Sequence, residues 1–331
     1  MDILQTFLQN LLSPAILFFA LGILAGFLKS DLNVPESISR YLSIYLMMAI
    51  GFKGGAALAE TEWASATLLP VMAAGVAMSF IMPFAGFGLL KATTRLDAPT
   101  LAAIAGHYGS VSIVTFVTAA SFLQQSAIAY EGYIVAVLAL MEAPAILSAL
   151  YIAHRAAPDT ITAGKQATPK LAREIFTNGA ILLLFGSFLI GMLTGKPGLA
   201  KMEGFLVTPF QGILALFLLD MGLMVSRQFH YMREFSFNLA AFGIYMPLLG
   251  AAVGLAAALV IGLDAGTGML FMVLCASASY IAVPAAMRLA LPQAKAAIYL
   301  PMSLAITFPF NIVVGLPLYL MVAEKLLGKG L

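Results

Sequence analysis

The stretch LAAIAGHYGSVSIVTFVTAASFL, residues 101–123, is apolar at both ends and polar in its centre. It is long enough to cross a bilayer as a helix. The central residues GHYGSVS, 106–112, include two glycines, two serines, a histidine and a tyrosine, and hydrocarbon does not solvate such groups. The pattern predicts a membrane span that is broken at its centre, where the freed backbone faces protein or water rather than lipid.

The composition of the whole chain agrees with a membrane location. Of 331 residues, 62% are hydrophobic and only 10% are charged, against about 25% in soluble domains. We therefore predict an all-α polytopic membrane protein. The net charge of +2 gives no indication of a nucleic-acid partner, and a single cysteine, Cys275, excludes an internal disulfide.

Ten stretches of roughly 20 mostly apolar residues are candidate transmembrane helices. They lie at about 13–28, 34–51, 67–90, 98–122, 128–153, 174–195, 203–226, 236–262, 266–290 and 296–323. The segment before the first span has no basic residue, so we expect an amphipathic lead-in and not a cleaved signal peptide.

The polar segment 154–173 separates five spans from five. Residues 1–153 and 174–331 are therefore predicted to be two repeats, inverted in the membrane because each has an odd number of spans. Landmarks recur in the same order, with broken helices in spans four and nine: Gly51 and Gly222, Ser110/Ser112 and Ser277/Ser279, Pro144 and Pro309.

Basic residues predict the orientation. One side of the ten-span arrangement holds 5 of them, and the side that includes segment 154–173 holds 12: Lys29, Arg40, Lys91, Arg95, Arg155, Lys165, Lys170, Arg173, Arg227, Arg233, Arg288 and Lys295. Positive residues favour the cytoplasmic side. We expect segment 154–173 to be a cytoplasmic linker and both termini to lie outside a bacterial inner membrane.

The two breaks are candidate binding elements for a small anion. Each frees backbone N–H groups at the start of a second half-helix, where the helix dipole also favours negative charge. The alternative is that these small residues only let helices pack closely. The candidate substrate-binding residues are Gly109, Ser110, Val111, Ser112, Ser277, Ser279 and Tyr280.

Two acids inside spans, Glu142 and Asp220, are candidates for cation binding or proton relay, because burial of a carboxylate is costly. Oxygen ligands suit a hard cation such as sodium, and Thr115, Thr307 and Asn311 carry such oxygens. In each case the alternative is a packing or backbone-bonding role. No nucleophile with a base and no metal cluster points to an intramembrane enzyme, and no sizeable soluble module points to a receptor.

The chain resembles the sodium-dependent bicarbonate transporter family along its whole length. The resemblance is carried by LNVPESIS (32–39), AIGFKGGAAL (49–58), GSVSIVT (109–115), AIAYEGY (127–133), MEAPAI (141–146) and CASASYIAVPAAMR (275–288). It implies sodium symport of bicarbonate by an elevator-like movement of a core against a gate domain. It also implies a homotrimer and a small cytoplasmic PII-like regulator.

This sequence departs from the family pattern in the second break. The family has an aspartate where this chain has Tyr280, and Ala278 interrupts the serine run. Asp220 is a candidate replacement for the missing acid. Two further hypotheses stay open on the same scaffold, a proton-coupled carrier and a carrier of another small organic anion.

Overall fold

The computed structural model describes residues 12–60, 66–157, 179–229, 235–280 and 282–328. Within these ranges the chain is helical and has no strand. Eight helices are long and apolar enough to cross a membrane, and two shorter apolar helices, Pro14–Phe27 and Ala265–Ala276, accompany them. The all-α polytopic class is confirmed, whereas the count of ten spans and their inversion stay predictions.

We number the helices along the chain. They are α1 (Pro14–Phe27), α2 (Glu36–Glu60), α3 (Leu68–Thr93), α4 (Ala98–Gly109), α5 (Ile113–Gln125), α6 (Ile134–Leu140), α7 (Glu142–Ala156), α8 (Gly179–Met202), α9 (Phe210–Gln228), α10 (Phe237–Ile261), α11 (Ala265–Ala276), α12 (Ala282–Ala290) and α13 (Ala296–Leu327). Helix α13 contains two π-helical stretches, Met302–Thr307 and Asn311–Gly315.

Both expected breaks are present. The first break, residues 110–112, separates α4 from α5, and the second break, residues 277–280, follows α11 and precedes α12. Residues 110 and 277 both have extended backbone, with ψ of 178° and 164°. The local serine-rich sequence thus ends each half-helix where the sequence pattern predicted.

Some expected boundaries were wrong. Helix α2 does not end near residue 51 but continues to Glu60, because Gly54 and Gly55 lie against neighbouring helices instead of ending the span. Span seven does not begin at 203, since residues 203–207 form a π-helical turn and α9 starts at Phe210. The expected lead-in (1–11) and most of the linker (158–173) lie outside the described residues.

The helices form two groups by their contacts. In the first group, α2 packs along α8 and α1 packs along α9. Gly51 of α2 lies against the carbonyl of Leu184, and Gly222 of α9 lies against the carbonyl of Phe19, so a Cβ at either glycine would overlap backbone. The other helices form the second group, which contains both breaks, and contacts between the two groups are sparser.

Candidate transport site at the crossing of two broken helices

The two breaks cross each other and are joined by hydrogen bonds. The backbone N–H of Ser112 donates to Ser277 Oγ at 2.9 Å. The backbone N–H of Ser279 donates to the carbonyl oxygen of His107, also at 2.9 Å. These bonds satisfy two of the donors that the breaks release, which is the condition for irregular backbone at membrane depth.

Each break also caps the half-helix that follows it. Ser112 Oγ accepts from the N–H of Thr115 at 3.2 Å and from the Thr115 hydroxyl at 3.0 Å. Ser279 Oγ accepts from the N–H of Val283 at 3.4 Å. Two capped N-termini, those of α5 and α12, therefore begin at the crossing, and their dipoles place partial positive charge there.

A small cavity lies between the breaks, and we call it the crossing cavity. The volume in which the centre of a water molecule can be placed is about 10 Å³. This is room for about one water molecule. Its described lining residues are Val111, Ser112, Ile113, Glu142, Ser279 and Tyr280. Five of the expected site residues thus come together, from α7 and from both breaks.

Glu142 is the acid of this cavity. It is the first residue of α7, directly after the interruption at Met141 that separates α6 from α7. Its side chain is buried and its Oε2 has no hydrogen-bond partner among the described residues. A buried carboxylate oxygen without a protein partner is costly, so this atom is available for a cation or a proton.

Other expected site residues lie around the cavity without lining it. Gly109 packs against Pro83, and Ser110 Oγ is buried without a partner among the described residues. Thr307 and Asn311 of α13 are both bonded within the second helix group. Thr307 donates to the Gly243 carbonyl, while Asn311 Nδ2 donates to the Ala276 carbonyl at 2.9 Å.

Asp220 lies apart from the crossing cavity. It is on α9, in the first helix group, where it accepts a hydrogen bond from Ser39 Oγ of α2. It is not among the described lining residues of the crossing cavity, and its role as a replacement for an acid at position 280 stays a prediction. Its neighbour along the helix, Arg227, donates to Asn33 Oδ1 at 2.8 Å.

A wide cleft approaches the cavity along the boundary between the two helix groups. The volume of the cleft that is open to the centres of water molecules is about 620 Å³. Glu36 and Gly179, the first residues of α2 and α8, line its outer end. Its inner end is Tyr280. The cleft thus opens at the end of the helices from which the expected linker leaves.

A polar cluster joins the two groups at the opposite end. Ser121 Oγ of α5 donates to Gln211 Oε1 of α9 at 3.0 Å, and Gln125 Nε2 donates to the same oxygen at 3.4 Å. Lys53 Nζ of α2 donates to Gln124 Oε1 at 3.5 Å. Lys53 lies about 25 Å along α2 from Glu36, at 1.5 Å per residue. The structure is open at one end and bridged at the other.

Comparison with protein families decides the class. The family model described as the Na⁺-dependent bicarbonate transporter superfamily matches residues 14–324, nearly the whole chain. The chain belongs to the Na⁺-dependent bicarbonate transporter superfamily. The resemblance inferred from the motifs is thereby confirmed. Membership in this superfamily makes the chain a transporter and not an enzyme. No curated protein matches the chain.

The sequence contained one further signal of this superfamily member's architecture that the motifs above did not use. Helices α4 and α11 both begin at the alanine of an Asp-Ala-X-Thr pattern, and Asp97 and Asp264 cap the N–H of Thr100 and Thr267 at 2.9 Å each. The interval is 167 positions (97 to 264), the same as from Ser112 to Ser279. Aligning the chain with itself at this interval would have found it.

Proposed function

We propose that the protein is a secondary active transporter that imports bicarbonate together with sodium, with the transported ions held at the crossing cavity. The observation that carries the proposal is Glu142 Oε2, which has no partner among the described residues and lines the cavity at which two half-helices begin. The N-termini favour an anion, and the carboxylate favours a cation. A site with both features suits a pair of oppositely charged ions better than either ion alone.

The negative charge of Glu142 explains why bicarbonate uptake would be coupled to sodium. An anion that enters the cavity beside an ionised carboxylate meets a like charge in a medium of low dielectric constant, where repulsion is strong. A sodium ion between the two removes that repulsion. Ser112, Ser279 and Tyr280 add hydroxyl oxygens, which are ligands of the kind that hard cations prefer. The cavity must widen for bicarbonate, since it now has room for about one water.

The inverted repeat is supported by reciprocal contacts. Thr100 Oγ1 accepts from the N–H of Lys295, which precedes α13, at 3.1 Å. Thr267 Oγ1 accepts from the N–H of Glu131, which precedes α6, at 2.9 Å. The fourth predicted span thus holds the start of the tenth, and the ninth holds the start of the fifth. Such an exchange is what a two-fold axis in the membrane plane generates.

The two helix groups support an elevator-like mechanism. The ion site lies within the second group, so it would move as a unit past α1, α2, α8 and α9. The cleft would then close and the polar cluster at the other end would separate. A short bifunctional methanethiosulfonate, which joins Ser121→Cys to Gln211→Cys through two disulfide bonds in a Cys275→Ala background, should stop uptake. Reduction should restore it, and undiminished uptake after complete cross-linking would contradict the movement.

Uptake of labelled bicarbonate into proteoliposomes tests the function itself. We expect uptake that an inward sodium gradient stimulates and that Ser112→Leu abolishes. The matched control is Thr118→Val, which changes a buried hydroxyl on α5, the helix that Ser112 caps; this hydroxyl donates to the backbone carbonyl of Val114. Absence of bicarbonate uptake by folded protein would refute the substrate assignment, and competition by small organic anions would then identify the substrate.

A proton is the second candidate for the coupling ion, because Glu142 can also be neutralised by protonation. The same liposomes with an inward proton gradient and no sodium distinguish the two. Uptake driven by the proton gradient alone would establish the second candidate and exclude a sodium requirement.

We also propose that the cleft faces the cytoplasm, as the basic residues predict. Impermeant labelling of Glu36→Cys from each side of inner-membrane vesicles tests this orientation. A homotrimer and a PII-like partner stay predictions from the family resemblance.

A further inference from the structure

Tyr280 stands between two spaces that are otherwise separate. It lines the inner end of the cleft and it also lines the crossing cavity. Among the described lining residues, Tyr280 is common to both. Its side chain is 9% exposed, so the ring fills the position where the two spaces would join.

Aromatic contacts hold the ring in this position. The Tyr280 ring lies edge-on to Phe308 of α13, with centroids 5.5 Å apart. Phe308 in turn lies edge-on to Phe19 of α1 at 5.4 Å. Edge-to-face pairs of this kind stabilise an arrangement beyond what burial alone contributes. The Phe19 contact also links the ring to the first helix group, so movement between the groups would change its support.

The two parts of the side chain have different consequences. The ring separates cleft from cavity and limits the cavity to about 10 Å³. The hydroxyl is buried without a hydrogen-bond partner among the described residues, and can donate to an anion oxygen. A tyrosine therefore supplies a donor without adding a second negative charge beside Glu142.

We propose that Tyr280 determines substrate size, because its ring closes the crossing cavity toward the cleft and limits the widening of the cavity to the size of a small anion such as bicarbonate. This inference deepens the proposed function and rests on it. A smaller residue at position 280 would join the cavity to the cleft of about 620 Å³. The site would then accept larger monocarboxylates through the same helix N-termini.

Cysteine accessibility tests the barrier without requiring transport. The reporter is Ser279→Cys in a Cys275→Ala background, labelled by an impermeant methanethiosulfonate reagent applied to each membrane face separately. We expect Tyr280→Ala to increase the labelling rate about tenfold from the cleft side, since the rate follows the population of open cavity. Tyr280→Phe keeps the ring and should label as slowly as the parent protein.

The matched control is Phe217→Ala, which removes a ring that lines the cleft but not the cavity. It should leave labelling slow. If Tyr280→Ala impairs folding, Tyr280→Val keeps an apolar side chain and should also label fast. Equal labelling of parent, Tyr280→Ala and Tyr280→Val proteins, or fast labelling of Tyr280→Phe, would overturn the barrier.

Competition experiments test the size limit. Butyrate and pyruvate should inhibit bicarbonate uptake by the Tyr280→Ala protein and leave the parent protein unaffected. Inhibition of both proteins alike would overturn the size limit even if the barrier holds. If the parent protein takes up no bicarbonate but its labelling pattern is as expected, the proposed substrate fails and the barrier stands.

Discussion

The two breaks are alike in backbone and different in surroundings. In both, a serine caps the following half-helix and donates its N–H across the crossing, Ser112 to Ser277 and Ser279 to His107. In the first break, Ser110 Oγ has no partner among the described residues, whereas Ser277 Oγ in the second break donates to the Leu274 carbonyl. The repeated sequence provides the framework, and individual side chains make it asymmetric.

The strongest asymmetry is between Glu142 and Thr307. Each stands two residues before a proline, Pro144 and Pro309, at matching positions of the two halves. Glu142 presents an unpartnered oxygen to the cavity. Thr307 donates to the Gly243 carbonyl at 2.7 Å and so accepts from Tyr108 at 2.7 Å. One position is suited to ion binding and the other to holding helices together.

Separate substitutions of Glu142 and Thr307 should have the largest effects, the first on uptake and the second on stability. We expect Glu142→Gln to reduce sodium-stimulated uptake about 100-fold, because loss of a buried charge partner costs more than about 2 kcal/mol. Thr307→Val should keep sodium dependence but lower thermal stability by about 1–3 kcal/mol, since the hydroxyl of Tyr108 loses its acceptor. Uptake assays and melting in detergent measure both. Normal sodium dependence of uptake by the Glu142→Gln protein would contradict the difference in role between Glu142 and Thr307.

Substitution of the serines in the two breaks should give the next largest effect, a loss of stability. Ser277→Ala leaves the buried N–H of Ser112 without its acceptor, which should destabilise the protein by about 1–3 kcal/mol. Ser110→Ala removes a hydroxyl without a partner among the described residues and should change stability by less than about 0.5 kcal/mol. Detergent unfolding of the two variants measures the difference. Equal losses would mean that the breaks are more symmetric than their hydrogen bonds indicate.

The two helix caps, Ser112 and Ser279, should differ less in how much each stabilises the protein. Ser112→Ala removes an acceptor for both groups of Thr115, and we expect a loss of about 1 kcal/mol. Ser279→Ala removes the longer bond to Val283 and should cost roughly half as much. The measurement is again the shift in melting temperature, with Thr118→Val as a control on the same helix. A larger loss from Ser279→Ala would reverse the ranking.

The smallest effect concerns acid pH and Asp97 at the start of α4. Partial burial alone would raise the pKa of Asp97, but hydrogen bonds from Thr100 and the ammonium of Lys295 at 3.4 Å outweigh it and hold the pKa below its usual 3.8. Because the pKa of Asp97 is lower in the folded than in the unfolded state, the ionised carboxylate stabilises the fold at pH values above 3.8. This stabilisation is lost as the pH falls below 3.8.

Melting curves between neutral and acid pH test this contribution. Asp97→Asn should show a shallower acid loss, by at most about 0.5 kcal/mol because the pair is largely exposed. Lys295→Gln should give part of the same change. An acid dependence identical to that of the parent protein in both variants would refute it.

Much of the architecture was predictable from the sequence. The span positions followed from apolar runs, and the breaks followed from GHYGSVS (106–112) and ASASY (276–280), because serine and glycine end helices locally. The predicted end of the second span near residue 51 was wrong, because α2 continues through Gly54 and Gly55, which pack closely against neighbouring helices. Local sequence does not separate these two uses of glycine.

The site was predictable only in part. Both acids were candidates for ion binding in the sequence, since each is a single carboxylate in an apolar span. The structure places Glu142 in the crossing cavity and Asp220 against Ser39, outside it. Which acid lacks a partner depends on residues more than 100 positions away, and no local pattern reports them.

The sequence by itself determined that the protein is helical, lies in a membrane and interrupts two of its spans, because hydropathy and backbone preference act over a few neighbouring residues. Tertiary structure alone decided that the two interruptions cross, that Glu142 faces them, and that Tyr280 lies between cavity and cleft. Those outcomes depend on packing between distant segments, where the burial and pairing of each polar atom are settled.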